Sequence, residues 1–180
     1  MNRLMRAALL TCLIQKLRTH GSWCGETHLQ KATYLLQYMM KVPFGFEFIL
    51  YKHGPFSFDL RDDLTALRAD GLIKLEPQRP YGPRLEAAPE CAYIQELFSS
   101  TILKYENVIE FVSGKLAEKG VADLERLTTA FFVTRGSVDK QCVNARAAEL
   151  NRIKPHISIE SATSAVSEID RILNEAKALH

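Results

Sequence analysis

The stretch "GPFSFDLRDDLTALRADGLIKLEP", residues 54–77, limits the possible folds more than any other part of the chain. Ser57 suits a helix N-cap, where its hydroxyl accepts a free amide, and Asp59 puts a carboxylate in the first turn at the positive end of the helix. Leu60, Leu64 and Leu67 fall on one side, Gly71 supplies the stop, and Leu72 the apolar contact that accompanies a glycine stop. Two short strands, "LIKLE" and "RLEAA", follow, separated by the proline-rich loop "PQRPYGP". Upstream, Phe44, Phe46, Phe48 and Leu50 alternate with Gly45, Glu47 and Ile49, which predicts a largely buried strand over about 46–51, reversed by a turn at His53-Gly54-Pro55.

The first 43 residues read as two helices. One runs over 3–19 and stops at His20-Gly21; the next opens on a capping-box pattern, Thr27-x-x-Gln30, and buries Leu29, Ala32, Leu36 and Met39 before ending near Lys41. Helix, helix, strand, helix, strand, loop, strand is a winged-helix order with one strand inserted early, placed at residues 3–88. From Pro89 the pattern is helical: Tyr93, Leu97, Ile102, Tyr105, Ile109, Val112 and Leu116 recur at spacings of three and four, with Gly120 as the stop. Further helices are expected at 121–133, 138–153 and 159–179, the last capped by Ser158. The expected fold is mainly α (α+β): a winged-helix-like unit with a small β-sheet, packed against a helical bundle over 89–180. No flexible linker divides the two, so they are expected to share a core.

Composition narrows the function classes. A chain of 180 residues with 47% apolar content can bury a real core, and a net charge of +2 from 23 basic and 21 acidic residues gives no global pull toward nucleic acid or anionic lipid. Only residues 1–60 are locally basic, through Arg3, Arg6, Lys16, Arg18 and others. Cys12, Cys24, Cys91 and Cys142 are scattered, which favours reduced thiols and a cytoplasmic setting. No stretch has the length of a membrane span, and the opening apolar run reads as an amphipathic helix rather than a leader.

The helix that most resembles a groove reader has the wrong sign for the task. Between Ser57 and Asp70 stand Asp59, Asp62, Asp63 and Asp70 against Arg61 and Arg68. With the leucines facing the core, Asp62 and Asp63 point to solvent, where DNA would lie, and phosphate binding relies on neutralising cations. The loop "PQRPYGPR" gathers Arg79, Tyr81 and Arg84 on a stiff projection able to touch a minor groove or a protein. Arg61, Asp62, Arg68, Arg79, Tyr81 and Arg84 are therefore the candidate partner contacts.

"HGSWCGETH" spaces His20, Cys24 and His28 by four residues with Cys12 nearby, a set of zinc-ligand types. However, Gly21 and Gly25 interrupt the helix that would align them, and a loop is preferred. His53 lacks a partner at fixed spacing, since Ser57 and Asp59 already serve as cap and first-turn acid. No catalytic constellation, cofactor cradle or metal motif emerges, and a noncatalytic protein is expected.

Three segments together carry a family resemblance: "THLQKATYLLQ", "FEFILYKHGPFSFDLRDDLTALRADGLI", and "LERLTTAFFV" followed by "AELNRIKPHISIESATSAVSEIDRIL". They resemble the YwgA-like proteins of bacteria and archaea, related to the Panacea (SocA-like) antitoxin domain. The usual Tyr-Gly-Pro-Tyr-Ser type sequence is changed here. Lys52 and His53 separate Tyr51 from Gly54, and Phe56 replaces the second tyrosine. The resemblance implies a noncatalytic, winged-helix-like protein that binds a protein partner, such as a toxin or a defence effector in toxin–antitoxin or anti-phage systems. The alternative is a winged-helix transcription regulator that contacts DNA through the wing and the basic first helix. Pairing with a second copy of the chain is open to the apolar C-terminal helices.

Overall fold

A computed structural model describes residues 1–77, 82–137 and 142–179. The first helix, α1 (Arg3–Thr19), is capped by Asn2, whose Oδ1 accepts from the Met5 amide at 2.9 Å, and it stops where Gly21 takes a φ of +83°. Next come α2 (Glu26–Tyr38), the strands β1 (Ile49–Tyr51) and β2 (Gly54–Phe56), α3 (Phe58–Ala69), and the strands β3 (Ile73–Glu76) and β4 (Arg84–Ala87). Five further helices complete the described chain: α4 (Cys91–Leu97), α5 (Ser99–Leu116), α6 (Val121–Gly136), α7 (Val143–Ile153) and α8 (Ile159–Ala176), with a closing 3-10 turn at Lys177–Leu179. The fold is mainly α, with a small β component.

The segment around α3 follows its local chemistry. Ser57 Oγ accepts from the Leu60 amide at 3.2 Å, Leu60, Leu64 and Leu67 are buried, and the Leu72 amide donates to Leu67 O at 2.9 Å across Gly71, whose φ is +73°. In contrast, the start of α2 departs from the expected capping box. The helix begins at Glu26 with Gly25 as N-cap, so Thr27 lies inside it. The Gln30 side chain reaches across to Ser57 instead, donating to its carbonyl and accepting from its amide, each at 2.9 Å. A tertiary partner thus takes the side chain that a capping box would keep local.

The β component is two separate antiparallel hairpins. In the first, Ile49 faces Phe56 and Tyr51 faces Gly54, so the reversal lies at Lys52-His53, and Gly54 and Pro55 already belong to β2. The strand expected to be largely buried over 46–51 is paired only over Ile49–Tyr51, where Ile49 and Tyr51 are exposed because, among the described residues, β2 alone pairs with it and no second layer covers that face. Phe46 keeps its extended, inward-facing position because Gln37 substitutes for a neighbouring strand, donating to Phe46 O at 2.7 Å and accepting from Phe46 N at 2.9 Å. In the second hairpin, Ile73 faces Ala87 and Glu76 faces Arg84.

In the C-terminal part, the apolar pattern begins later than its spacing suggests. Tyr93 and Leu97 are exposed, because α4 has only seven residues and the chain breaks at Phe98 (φ −113°, ψ 28°), which resets the helical phase before α5. Ile109, Val112 and Leu116 of α5 are buried as expected. Gly120 serves as the N-cap of α6 rather than as a helix stop. The expected helix start at 138 lies outside the described residues; within them α7 runs from Val143, and Ser158 caps α8 by accepting from the Ser161 amide at 3.2 Å. One buried cluster runs through both halves of the chain. In it α1 packs against α4 and α5, α2 against α5 and α6, and α8 against α6 and α7.

Candidate functional site

The β1–β2 hairpin is fixed from below by buried cations. Lys31, on α2, donates to Pro55 O at 2.8 Å, and Lys154, just after α7, donates to Tyr51 O at 2.7 Å and Lys52 O at 2.6 Å. Close packing on α6 completes the seat: at Gly54, with φ of +83°, an added Cβ would stand 3.0 Å from Thr129 Oγ1 and 3.3 Å from Thr128 Oγ1. Glu125 of α6 supplies the buried counter-charge. Its Oε1 lies 3.3 Å from both Lys154 Nζ and His156 Nε2, and its Oε2 lies 3.6 Å from His53 Nδ1. None of these contacts has hydrogen-bond geometry at Oε1, so the attraction there is Coulombic. Burial pulls the Lys31 ammonium down to about 8, with Glu125 opposing that change and Lys154 reinforcing it.

Seating the hairpin in this way brings three aromatic rings together at the surface. The centroids of Tyr51 and Phe56 are 5.7 Å apart, those of Tyr51 and Phe58 5.6 Å, and those of Phe56 and Phe58 5.1 Å. Tyr51 remains 53% and Phe58 40% exposed, and Ile49 extends the patch. The Arg61 guanidinium lies 5.0 Å from the Phe58 ring centroid, and Asp62 flanks it at 3.5 Å. Arg68 is exposed two turns along the same face of α3. Between the start of α2, the hairpin and α3 opens a cavity of about 330 Å³, with Lys31, Lys52, His53 and Arg61 among its walls. A larger groove of about 680 Å³ adjoins it across Glu26 and Thr27, with Trp23, Pro83, Ala117 and Val121 among its walls.

The remaining candidates fall in separate places. Arg84 is half-buried and donates through Nε to Glu76 Oε2 at 2.6 Å across the second hairpin; Arg79 and Tyr81 lie outside the described residues. Asp63 does not point to solvent as expected: Arg6 Nε donates to its Oδ2 at 2.8 Å, and Arg3 pairs with Asp70. Lys16 lies 3.0 Å from Glu110. Hence the basic face of α1 is largely answered by acids of α3 and α5. His20 Nε2 lies 2.6 Å from Glu110, whereas His28 Nε2 lies 2.9 Å from Lys119 O. Burial pushes the Cys24 thiol up to about 12 and raises that of Cys12 as well. Among the described residues, no group of three or more His, Cys, Asp or Glu side chains is arranged to hold a metal ion. His53 approaches Glu125, while the Ser57 hydroxyl is committed to its helix cap.

Lys31, Glu125 and Lys154 are the residues that sequence reasoning missed. The one available signal was Lys31 itself, which lies among Leu29, Ala32, Tyr34, Leu35 and Leu36 on a helix buried almost all round. No protein-family model, curated protein or solved structure matches the chain.

Proposed function

We propose that this is a noncatalytic, antitoxin-like regulatory protein that binds a protein partner, a toxin or defence effector, through the hairpin and the exposed face of α3. The observation that carries this reading is the exposed cluster of Tyr51, Phe56 and Phe58 with Arg61 over the Phe58 ring. Aromatic side chains and arginine dominate binding hot spots, because they bury much area at little conformational cost. Here the rings are held on a short hairpin whose carbonyls are fixed by Lys31 and Lys154, so little ordering remains to be done on binding. The resemblance to YwgA-like and Panacea (SocA-like) proteins supports the same reading, with residues 3–88 as the winged-helix-like unit.

DNA binding through α1 and the wing is weaker on electrostatic grounds. Arg3 and Arg6 are paired with Asp70 and Asp63, and Lys16 with Glu110, which leaves few cations available to phosphates. Among the described residues, no helix is long and apolar enough to cross a membrane.

The test is recovery of a partner from the native host on the tagged wild-type chain, set beside Tyr51→Ala/Phe58→Ala and, as a control, Tyr93→Ala, at a still more exposed ring. Loss of the partner from the double variant alone supports the reading. A partner retained equally by all three, or submicromolar duplex-DNA binding that falls steeply with salt, would replace it.

A further inference from the structure

The interior beneath the hairpin holds more positive than negative charge. Lys31 is 2% exposed, Lys154 7%, and the carboxylate that offsets them, Glu125, 6%. Glu125 lies within ion-pair distance of Lys154, at 3.3 Å. Lys31 has no carboxylate within that distance among the described residues, and Pro55 O is the single acceptor recorded for its three N–H groups. A buried ammonium lacking its own counter-ion is costly, and an anion brought against it would offset that cost.

The cavity of about 330 Å³ opens onto this lysine. Lys52 and Arg61 add two more positive charges to its walls, Glu26 is the acid present, and His53 lies beside them. The lining itself thus carries three cations against one carboxylate, with Asp62 at 3.5 Å from Arg61 and the buried Glu125 offsetting part of that excess from outside the cavity. Tyr51 and Phe56 provide flat apolar wall, and the volume falls at the lower end of small-ligand sites.

We infer that this cavity binds a small phosphomonoester, with its phosphate set against Lys31 and Arg61 and a compact, flat organic part against Tyr51 and Phe56. A phosphomonoester, with close to two negative charges at neutral pH and three acceptor oxygens, is drawn to Lys31, Lys52 and Arg61 more strongly than a singly charged carboxylate. Arg61 suits a phosphate because its planar fork donates two parallel hydrogen bonds. The site does not depend on the partner-binding reading, although it shares Tyr51, Phe56 and Arg61 with that surface.

Phenyl phosphate and benzoate, titrated calorimetrically into the full chain at pH 7, distinguish the possibilities. Phenyl phosphate is expected to bind, with benzoate weaker by about tenfold or more, and Lys31→Met and Arg61→Ala each lowering phenyl phosphate affinity by about tenfold or more. Arg61 is exposed, so its replacement decides the matter even if Lys31→Met fails to fold. Absence of phenyl phosphate binding at millimolar concentration, affinity unchanged in Arg61→Ala, or benzoate bound as tightly would overturn the assignment.

Discussion

Lys31 shows how one residue can link stability to function here. Its ammonium is buried and titrates near 8 in the folded chain, against an ordinary value of 10.5. The unfolded chain therefore binds more protons than the folded one between about pH 8 and 10.5, and stability from this group rises with pH across that window. Below pH 8 both states are charged and the cost of burial is fully present, of the order of 3 kcal/mol at most. Urea unfolding of the wild type and Lys31→Met, followed from pH 7 to 10.5, tests this. The rise between pH 8 and 10.5, taken as the difference between the two proteins, should be absent from the variant. A parallel pH dependence in both would show that Lys31 is not the group responsible.

At the level of elements, the hairpin and α3 are held by different means, and two glycines distinguish them. Gly54 combines a φ of +83° with a close approach to Thr128 and Thr129, whose hydroxyls a Cβ would have to push back by a few tenths of an ångström, whereas Gly71, at +73°, has nothing within 4 Å of that position. Gly71→Ala is expected to lose about 1–2 kcal/mol, the cost of a left-handed non-glycine residue. Gly54→Ala should lose more, because the Thr129 and Thr128 hydroxyls on α6 must give way as well. Thermal melts of the two variants give the comparison, and equal losses would mean that the seat on α6 is loose. The cap, the leucine face and the stop of α3 could all be read from the sequence, since each contact spans at most a few turns of chain. The capping box at α2 misled for the opposite reason: Gln30 had a distant partner in Ser57 that no local pattern encodes.

Across the whole molecule, the two halves of the chain depend on one core. Tyr34 of α2 packs edge-on against Phe131 of α6 at 5.6 Å, and α1 lies against α4 and α5. Residues 3–88 produced alone would expose the faces of α1 and α2 that these helices cover. That fragment is expected to show no cooperative thermal transition, while the full chain does. A cooperative transition from the fragment would make residues 3–88 an independent domain. The sequence by itself determined most of the helices, the Ser57 and Ser158 caps and the mainly α class, because periodicity and turn chemistry act over a few residues. Only the tertiary structure decided that the acids of α3 answer the arginines of α1, and that Lys31, Glu125 and Lys154 meet beneath one hairpin. Apart from Lys31, with its apolar neighbours on α2, each of those residues taken alone looks like part of a solvated face; charge pairing becomes visible only when remote segments close on one another.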